Sequence, residues 1–250
     1  MTSGVKARCN LFGVLKNMEY LIKNISTATT LIGNKAISIQ FIISGCAKAN
    51  LSFKDGKATL IAGRAKNNLK LGFCSSKHFN NMIEGTALPI PLKGISKISF
   101  LKTTFTQLAA ILESYLRPSQ EALQSKEFFY HSTMMIAYCA FYSLSEIANY
   151  DEDAQKIANR VPDGIVVIEI EKKPIVSIHV NNGIFITKDG GVENPHAVLS
   201  FKTVDVAYRV LNGKIDSYTA IGLGDISMQG LIPMLENLNP ILDLVEKYLK

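Results

Sequence analysis

One residue pattern occurs twice in this chain, about half its length apart, and it constrains the fold more than any single motif. Leu199–Gly213 carries an extended pair, then an amphipathic helix, then a closing glycine; Leu71–Gly85 does the same at an offset of 128 positions. Upstream the offset is 127, where Leu51-Ser-Phe-Lys-Asp-Gly56 overlays Ile178-His-Val-Asn-Asn-Gly183. Few residues are identical, yet apolar positions and turn glycines coincide through several elements. Two copies of one fold are the simplest source of such a pattern.

The length agrees: 250 residues make two domains of roughly 125, each able to bury about two thirds of its surface. The chain divides into a first repeat at residues 1–117, a linking helical segment at 118–162 and a second repeat at 163–250. Cys9, Cys46, Cys74 and Cys139 share no metal-type spacing and read as small buried hydrophobes in a reducing compartment. No apolar signal core follows the N-terminal lysines, and Ile37–Ile43 is too short to span a bilayer. A cytoplasmic setting is expected.

The net charge of +6 is unevenly divided. Residues 1–117 hold 16 Lys or Arg against 4 Asp or Glu, whereas residues 118–250 hold 11 against 17. The basic half suits transient contact with an anionic membrane, an acidic protein or the acidic half of the chain, or is simply a solvated lysine face. Its lysines are dispersed and no binding motif accompanies them, so no nucleic acid is expected.

Each repeat reads as sheet first and helix last. In the second, Val166, Ile168 and Ile170 alternate with Val167, Glu169 and Glu171, the period of a half-buried strand. Asn182-Gly183 marks a tight hairpin, since both turn positions need positive φ. Thr203 or Asp205 caps a helix burying Val206, Ala207, Val210 and Leu211 and closed by Gly213. Strand Asp225–Gln229 leads to a terminal apolar stripe that Pro240 is expected to split into two helices. In the first repeat, Ile37, Ile39, Phe41 and Ile43 open the sheet, and a final helix from Phe105 to Leu116 is capped by Thr103 or Thr104. Tyr115-Leu-Arg117 matches Tyr248-Leu-Lys250 at an offset of 133, so the second terminal helix is expected to reach further.

Gly213-Lys-Ile-Asp-Ser-Tyr-Thr-Ala220 and the following Gly224, Ile226, Met228 and Gly230 resemble the sterol carrier protein type 2 family, with its glycine-lysine, alanine and spaced glycines along a strand. The match covers about residues 163–250. Leu231 stands where the family often has aspartate or asparagine. In the first repeat Leu92, Ser96 and Lys102 occupy the corresponding alanine and glycine positions, and Pro89 and Pro91 interrupt. The resemblance implies an α+β fold of two tandem sterol-carrier-like domains, each a mixed, largely antiparallel five-stranded sheet covered by helices. It further implies a tunnel between sheet and helices that binds an apolar, lipid-like molecule (sterol, fatty acyl or isoprenoid) without a cofactor. The second repeat, closer to the family, is the expected ligand site. Phe201 and Met228 would line it from the strands, Leu231 and Met234 at the corner, and Leu235, Leu238 and Leu242 along the helix. For each of these residues, ordinary core packing is the competing reading.

Phe128–Ser145 holds 18 residues without a formal charge, but His131, its hydroxyl groups and Cys139 make it a buried helix rather than a membrane span. The matching element of the first repeat is Leu11–Ile25. No G-x-S-x-G elbow, phosphate loop or H-E-x-x-H helix occurs, and His78, His131, His179 and His196 are scattered. A carrier without enzymatic activity and without a metal site is therefore expected. The alternatives are an accessory or interaction module for a lipid-modifying enzyme, and an enzyme using the same cavity.

Overall fold

The computed structural model describes residues 2–249, and the chain divides into two compact units, Thr2–Met135 and Ile136–Lys250. The first opens with α1 (Ser3–Cys9), a π-helical turn (Asn10–Val14), α2 (Asn17–Asn24) and α3 (Ser26–Ile32). Strands β1 (Ile37–Ile43), β2 (Ala47–Lys54), β3 (Lys57–Ala62) and β4 (Leu69–Phe73) follow. Next come α4 (Ser76–Ile83) and β5 (Ile90–Lys93). A helical run then combines a 3₁₀ turn (Ile95–Lys97), α5 (Ile98–Phe100), a π turn (Leu101–Phe105) and α6 (Thr106–Leu116). Helix α7 (Lys126–Tyr150) starts in the first unit and continues in the second, so residues 118–162 are shared between the units. There α8 (Glu152–Ala158) precedes β6 (Gly164–Ile170), β7 (Lys173–Asn181), β8 (Ile184–Asp189) and β9 (Ala197–Phe201). The unit closes with α9 (Val204–Leu211), α10 (Ser217–Gly222), β10 (Ile226–Gly230) and α11 (Ile232–Leu249).

The two sheets have one topology. Their strands run β3-β2-β1-β4-β5 and β8-β7-β6-β9-β10, and in each the central strand pairs parallel with the fourth while every other pairing is antiparallel. The registers repeat as well: Ile39 faces Leu69 as Val166 faces Ala197, and Ala49 faces Ala62 as Val176 faces Asp189. The fold is α+β, with two tandem five-stranded mixed sheets. Local chemistry explains why both halves reach it. Asp55-Gly56 and Asn182-Gly183 all take positive φ, the geometry of a tight hairpin. Ser75 and Thr203 cap α4 and α9 by accepting the backbone N–H of His78 and Val206. Replacing either by alanine should cost about 1 kcal/mol, and urea denaturation of the two variants should give matching losses.

The terminal helices differ from expectation. Pro240 lies inside the continuous α11 and does not split it. A proline within a helix costs about 3 kcal/mol, but six buried side chains on this helix, Tyr248 and Ile241 among them, each contribute about 1.5–3 kcal/mol. Packing prevails. In the first unit Thr103 and Thr104 cap nothing, because the helical path already runs from Ile95 through the π turn. Helix α11, with 18 residues, is longer than α6, with 11, as expected; the first unit reaches that span only when the turns and α5 before α6 are counted with it.

The segment Phe128–Ser145 is helical throughout, and Ser132, Thr133, Tyr142 and Ser145 bond through their hydroxyls to protein partners. Ser132 donates to the Tyr115 carbonyl at 2.6 Å within the first unit, and in the second Ser145 pairs with Thr187 at 2.6 Å. Among the described residues no helix is long and apolar enough to cross a membrane. Asn149 brackets Phe185 of β8, accepting from its N–H and donating to its carbonyl, both at 2.8 Å. In the first unit Glu19 of α2, within the expected Leu11–Ile25, accepts the Leu60 N–H of β3.

Candidate functional site

Strand register sorts the second sheet into two faces. Val166, Ile168 and Ile170 on β6 align with Ala197, Leu199 and Phe201 on β9, which align in turn with Gly230, Met228 and Ile226 on β10. Val176 and Ile178 of β7 belong to the same face. This inner face is sealed over β6 and β7, where Val166, Ile168, Val176 and Ile178 are wholly buried. It is not sealed at the β10 edge: Leu199 and Met228, directly opposite each other, are only half-buried. The matching row of the first unit differs. Leu71, the counterpart of Leu199, is buried within a continuous apolar cluster that includes Ile39, Phe41, Leu51 and Phe73.

Around this open row the chain builds a corner. Helix α11 packs on α8, β9 and β10, and buries Met234, Leu235 and Leu238, while Leu242 is half-buried. Phe201 is buried on β9, and Leu231 is 39% exposed between β10 and α11. The structure thus gathers the seven expected residues on three adjoining elements, graded from the buried Met234 through Met228 to the exposed Leu231. Two exposed apolar residues went unmarked in the sequence: Tyr218 in α10, 70% exposed, and Leu223 at its C-cap, 65% exposed. Asp216 caps α10 by accepting from Thr219 N–H and hydroxyl, bonds that hold its carboxyl below the usual range. The Ser217 hydroxyl donates to Asn239 Oδ1 at 2.8 Å, tying α10 to the middle of α11. The signal for this short helix was Asp216 three residues before Thr219, a capping spacing.

The corner turns on Gly230. Its φ is +84°, and a Cβ there would lie 2.2 Å from the His196 carbonyl oxygen, which also accepts the Leu231 N–H at 2.8 Å. Gly94 repeats this in the first unit, with φ +81° and a Cβ 2.2 Å from the Asn68 carbonyl oxygen. The side chains above them correspond too, since His196 Nδ1 accepts the Ile165 N–H and Asn68 Oδ1 accepts the Ser38 N–H. Gly94, not Lys102, is therefore the counterpart of Gly230. Between these glycines and the shared Gly85/Gly213 the first unit is eight residues shorter, and it has no counterpart of α10. Its connection is shorter, and the glycine is present in both.

Solved structures of similar shape were found for parts of the chain. The sterol carrier protein domain 2 of Helicoverpa armigera is 16% identical, with 45% of this chain and 89% of that chain covered and a TM-score of 0.37. A ubiquinone synthesis protein, UbiJ-SCP2, is 12% identical over 41% and 89% at a TM-score of 0.34. The sterol carrier protein 2 like 2 of Aedes aegypti is 11% identical over 42% and 95% at 0.32. The likeness is to sterol carrier proteins. No family model and no curated protein sequence matches the chain.

The sterol-carrier positions have physical roles here. Ala220 is wholly buried in α10, and its carbonyl accepts the Asp225 N–H. Gly213 and Gly224 take positive φ, closing α9 and α10. A cleft of about 260 Å³ lies at the opposite, β8 edge of the sheet, lined by Asn149, Gln155, Asn159, Asn182 and Gly183 among others. Its amide lining suits no apolar chain. Reactive groups are muted: burial pushes the Cys139 thiol up to about 12 despite the Ser143 hydrogen bond, and burial and Lys188 hold His179 below its usual value. Among the described residues no three His, Cys, Asp or Glu side chains gather as a metal site.

Proposed function

We propose that the chain is a carrier of an apolar, lipid-like molecule, held in the second unit between the β9–β10 edge of the sheet and α11. One observation carries the reading. The inner face of the second sheet is left half-covered at Leu199 and Met228, whereas Leu71, the first unit's counterpart of Leu199, is buried in an apolar cluster. A half-covered apolar row on β9 and β10, with the buried Met234 on α11 beyond it, offers an acyl or isoprenoid chain a bed. Binding, rather than catalysis, is the proposed activity, in the cytoplasm, with the four cysteines as free thiols. The basic first half would bring the carrier to an anionic membrane.

Two measurements test this. Organic extraction of protein purified from its own host, followed by mass spectrometry, should yield a lipid in stoichiometric amount. Met228→Trp should abolish uptake of a fluorescent fatty acid by filling the half-covered row while the melting temperature holds. Met234→Trp should also block uptake at about 1–3 kcal/mol in stability, because that site is already full. Phe105→Trp in the first unit should leave uptake intact. An empty extract, or unchanged uptake in Met228→Trp, would refute the assignment.

A further inference from the structure

The strongest surface feature not used above is on the first unit. Between α4 and the helical run, Leu88, Ile90, Leu92 and Ile95 are 84%, 41%, 54% and 72% exposed, and strand β5 is exposed along its whole length. Such a run of large aliphatic side chains on a soluble surface marks a contact site. It is held firmly rather than left loose. His78 Nδ1 accepts the Cys74 N–H, which leaves Nε2 to donate to the Leu88 carbonyl at 2.9 Å. Leu92 lies over Gly72, and Gly94 locks the far end against Asn68.

Charge and backbone chemistry identify the occupant. From residue 56 to residue 112 the chain has eight cations, Lys93 and Lys97 beside the strip among them, and one acid, Glu84. Glu84 is paired with Lys6 at 2.8 Å. A protein strand adding to this sheet edge would need backbone donors, and Pro89 and Pro91 remove two of them. Exposed aliphatic side chains beside Lys93 and Lys97, on an edge closed to strand pairing, match the interface of an anionic bilayer. We infer that Leu88–Ile95 is a membrane-docking edge, with Leu88 and Ile95 entering the headgroup boundary and Lys93 and Lys97 meeting anionic headgroups. This deepens, and rests on, the membrane-delivery part of the proposed function. It does not require the ligand itself.

Sedimentation of the full chain with phosphatidylglycerol–phosphatidylcholine vesicles tests it. Binding should be strong at about 0.1 M salt and weak at about 1 M, and much weaker on pure phosphatidylcholine. Leu88→Asp with Ile95→Asp, and separately Lys93→Glu with Lys97→Glu, should each weaken binding at least about tenfold. Their circular dichroism should be unchanged and their melting nearly so, because these side chains are exposed and the one bond lost is that of Lys93 to the Asn67 carbonyl. Ile184→Asp with Ile186→Asp, a pair each 54% exposed on β8, should bind as the unaltered protein does. The inference is overturned if the unaltered chain ignores anionic vesicles or if the Leu88/Ile95 variant binds equally. It is also overturned if that variant only converts a dimer to a monomer. Lipid extraction separates the two readings: vesicle binding with an empty extract removes the carrier and keeps the docking edge, and a loaded protein that ignores vesicles does the reverse.

Discussion

Gly94→Ala and Gly230→Ala should each destabilise the protein by about 3 kcal/mol or more, and by similar amounts. Two effects combine at each site. A left-handed backbone costs an L-residue about 1–2 kcal/mol, and the added Cβ would meet a backbone carbonyl oxygen, which cannot rotate away as a side chain can. Gly85→Ala separates them. It has the same left-handed φ with nothing within 4 Å of the added carbon, so about 1–2 kcal/mol is expected there. Lys102→Ala, at an exposed helical position, should be close to neutral. Urea denaturation with separate probes for each unit would measure all four. A neutral Gly94→Ala would remove the correspondence between Gly94 and Gly230, and with it the account of how the repeats diverged.

That correspondence marks the limit of what the sequence discloses. Strands were legible because burial on one face imposes a period of two, as Val166, Ile168 and Ile170 do, and because Asp55-Gly56 and Asn182-Gly183 have few conformational options. The caps at Ser75 and Thr203 were legible for the same local reason. The glycine series failed in the first repeat because equal spacing was assumed across a connection eight residues shorter, so Lys102 was matched to a position that Gly94 fills. Spacing carries information only where no element has been lost. Pro240 misled for the opposite reason: a local preference was overruled by burial from the rest of the unit.

The candidate site was partly readable. The alternation that puts Phe201 and Met228 on one face, and the stripe of Met234, Leu235 and Leu238, are periodic properties. The half-covered row at Leu199 and Met228 is not. It depends on how far α11 reaches across β9 and β10, a tertiary quantity without a sequence signature. Helix α10 escaped notice because six residues are too few to show a period. The contrast between a buried Leu71 and a half-buried Leu199, which now supports the proposed ligand site, was likewise out of reach. Leu71 and Leu199 are both leucine.

How α11 is pinned at its far end leads to the last expected result. The Tyr248 hydroxyl, on a side chain 1% exposed, donates to Asp151 Oδ2 at 2.5 Å, and the other carboxylate oxygen caps α8 by accepting from Asp153 and Ala154 N–H. Burial pushes the Asp151 carboxyl up, but the Tyr248 and backbone hydrogen bonds to its charged form outweigh this and hold it below its usual value. A carboxyl with a folded-state pKa below the unfolded one stabilises at pH above the unfolded value, about 3.9. That contribution is lost as pH falls through the lower, folded value. Tyr248→Phe should therefore cost about 1.5–3 kcal/mol at neutral pH, as for a hydrogen bond to a charged group, and the deficit should shrink below about pH 4. Asp151→Asn keeps an acceptor and removes the charge, so its stability should lack this acid dependence. Melting curves of the three proteins from neutral to acid pH decide the matter. If Tyr248→Phe keeps the full acid slope of the unaltered protein, the anchor is not what couples α8 to α11. If it flattens the slope and also lowers fatty-acid uptake, the far end of α11 helps position the helix over the proposed site.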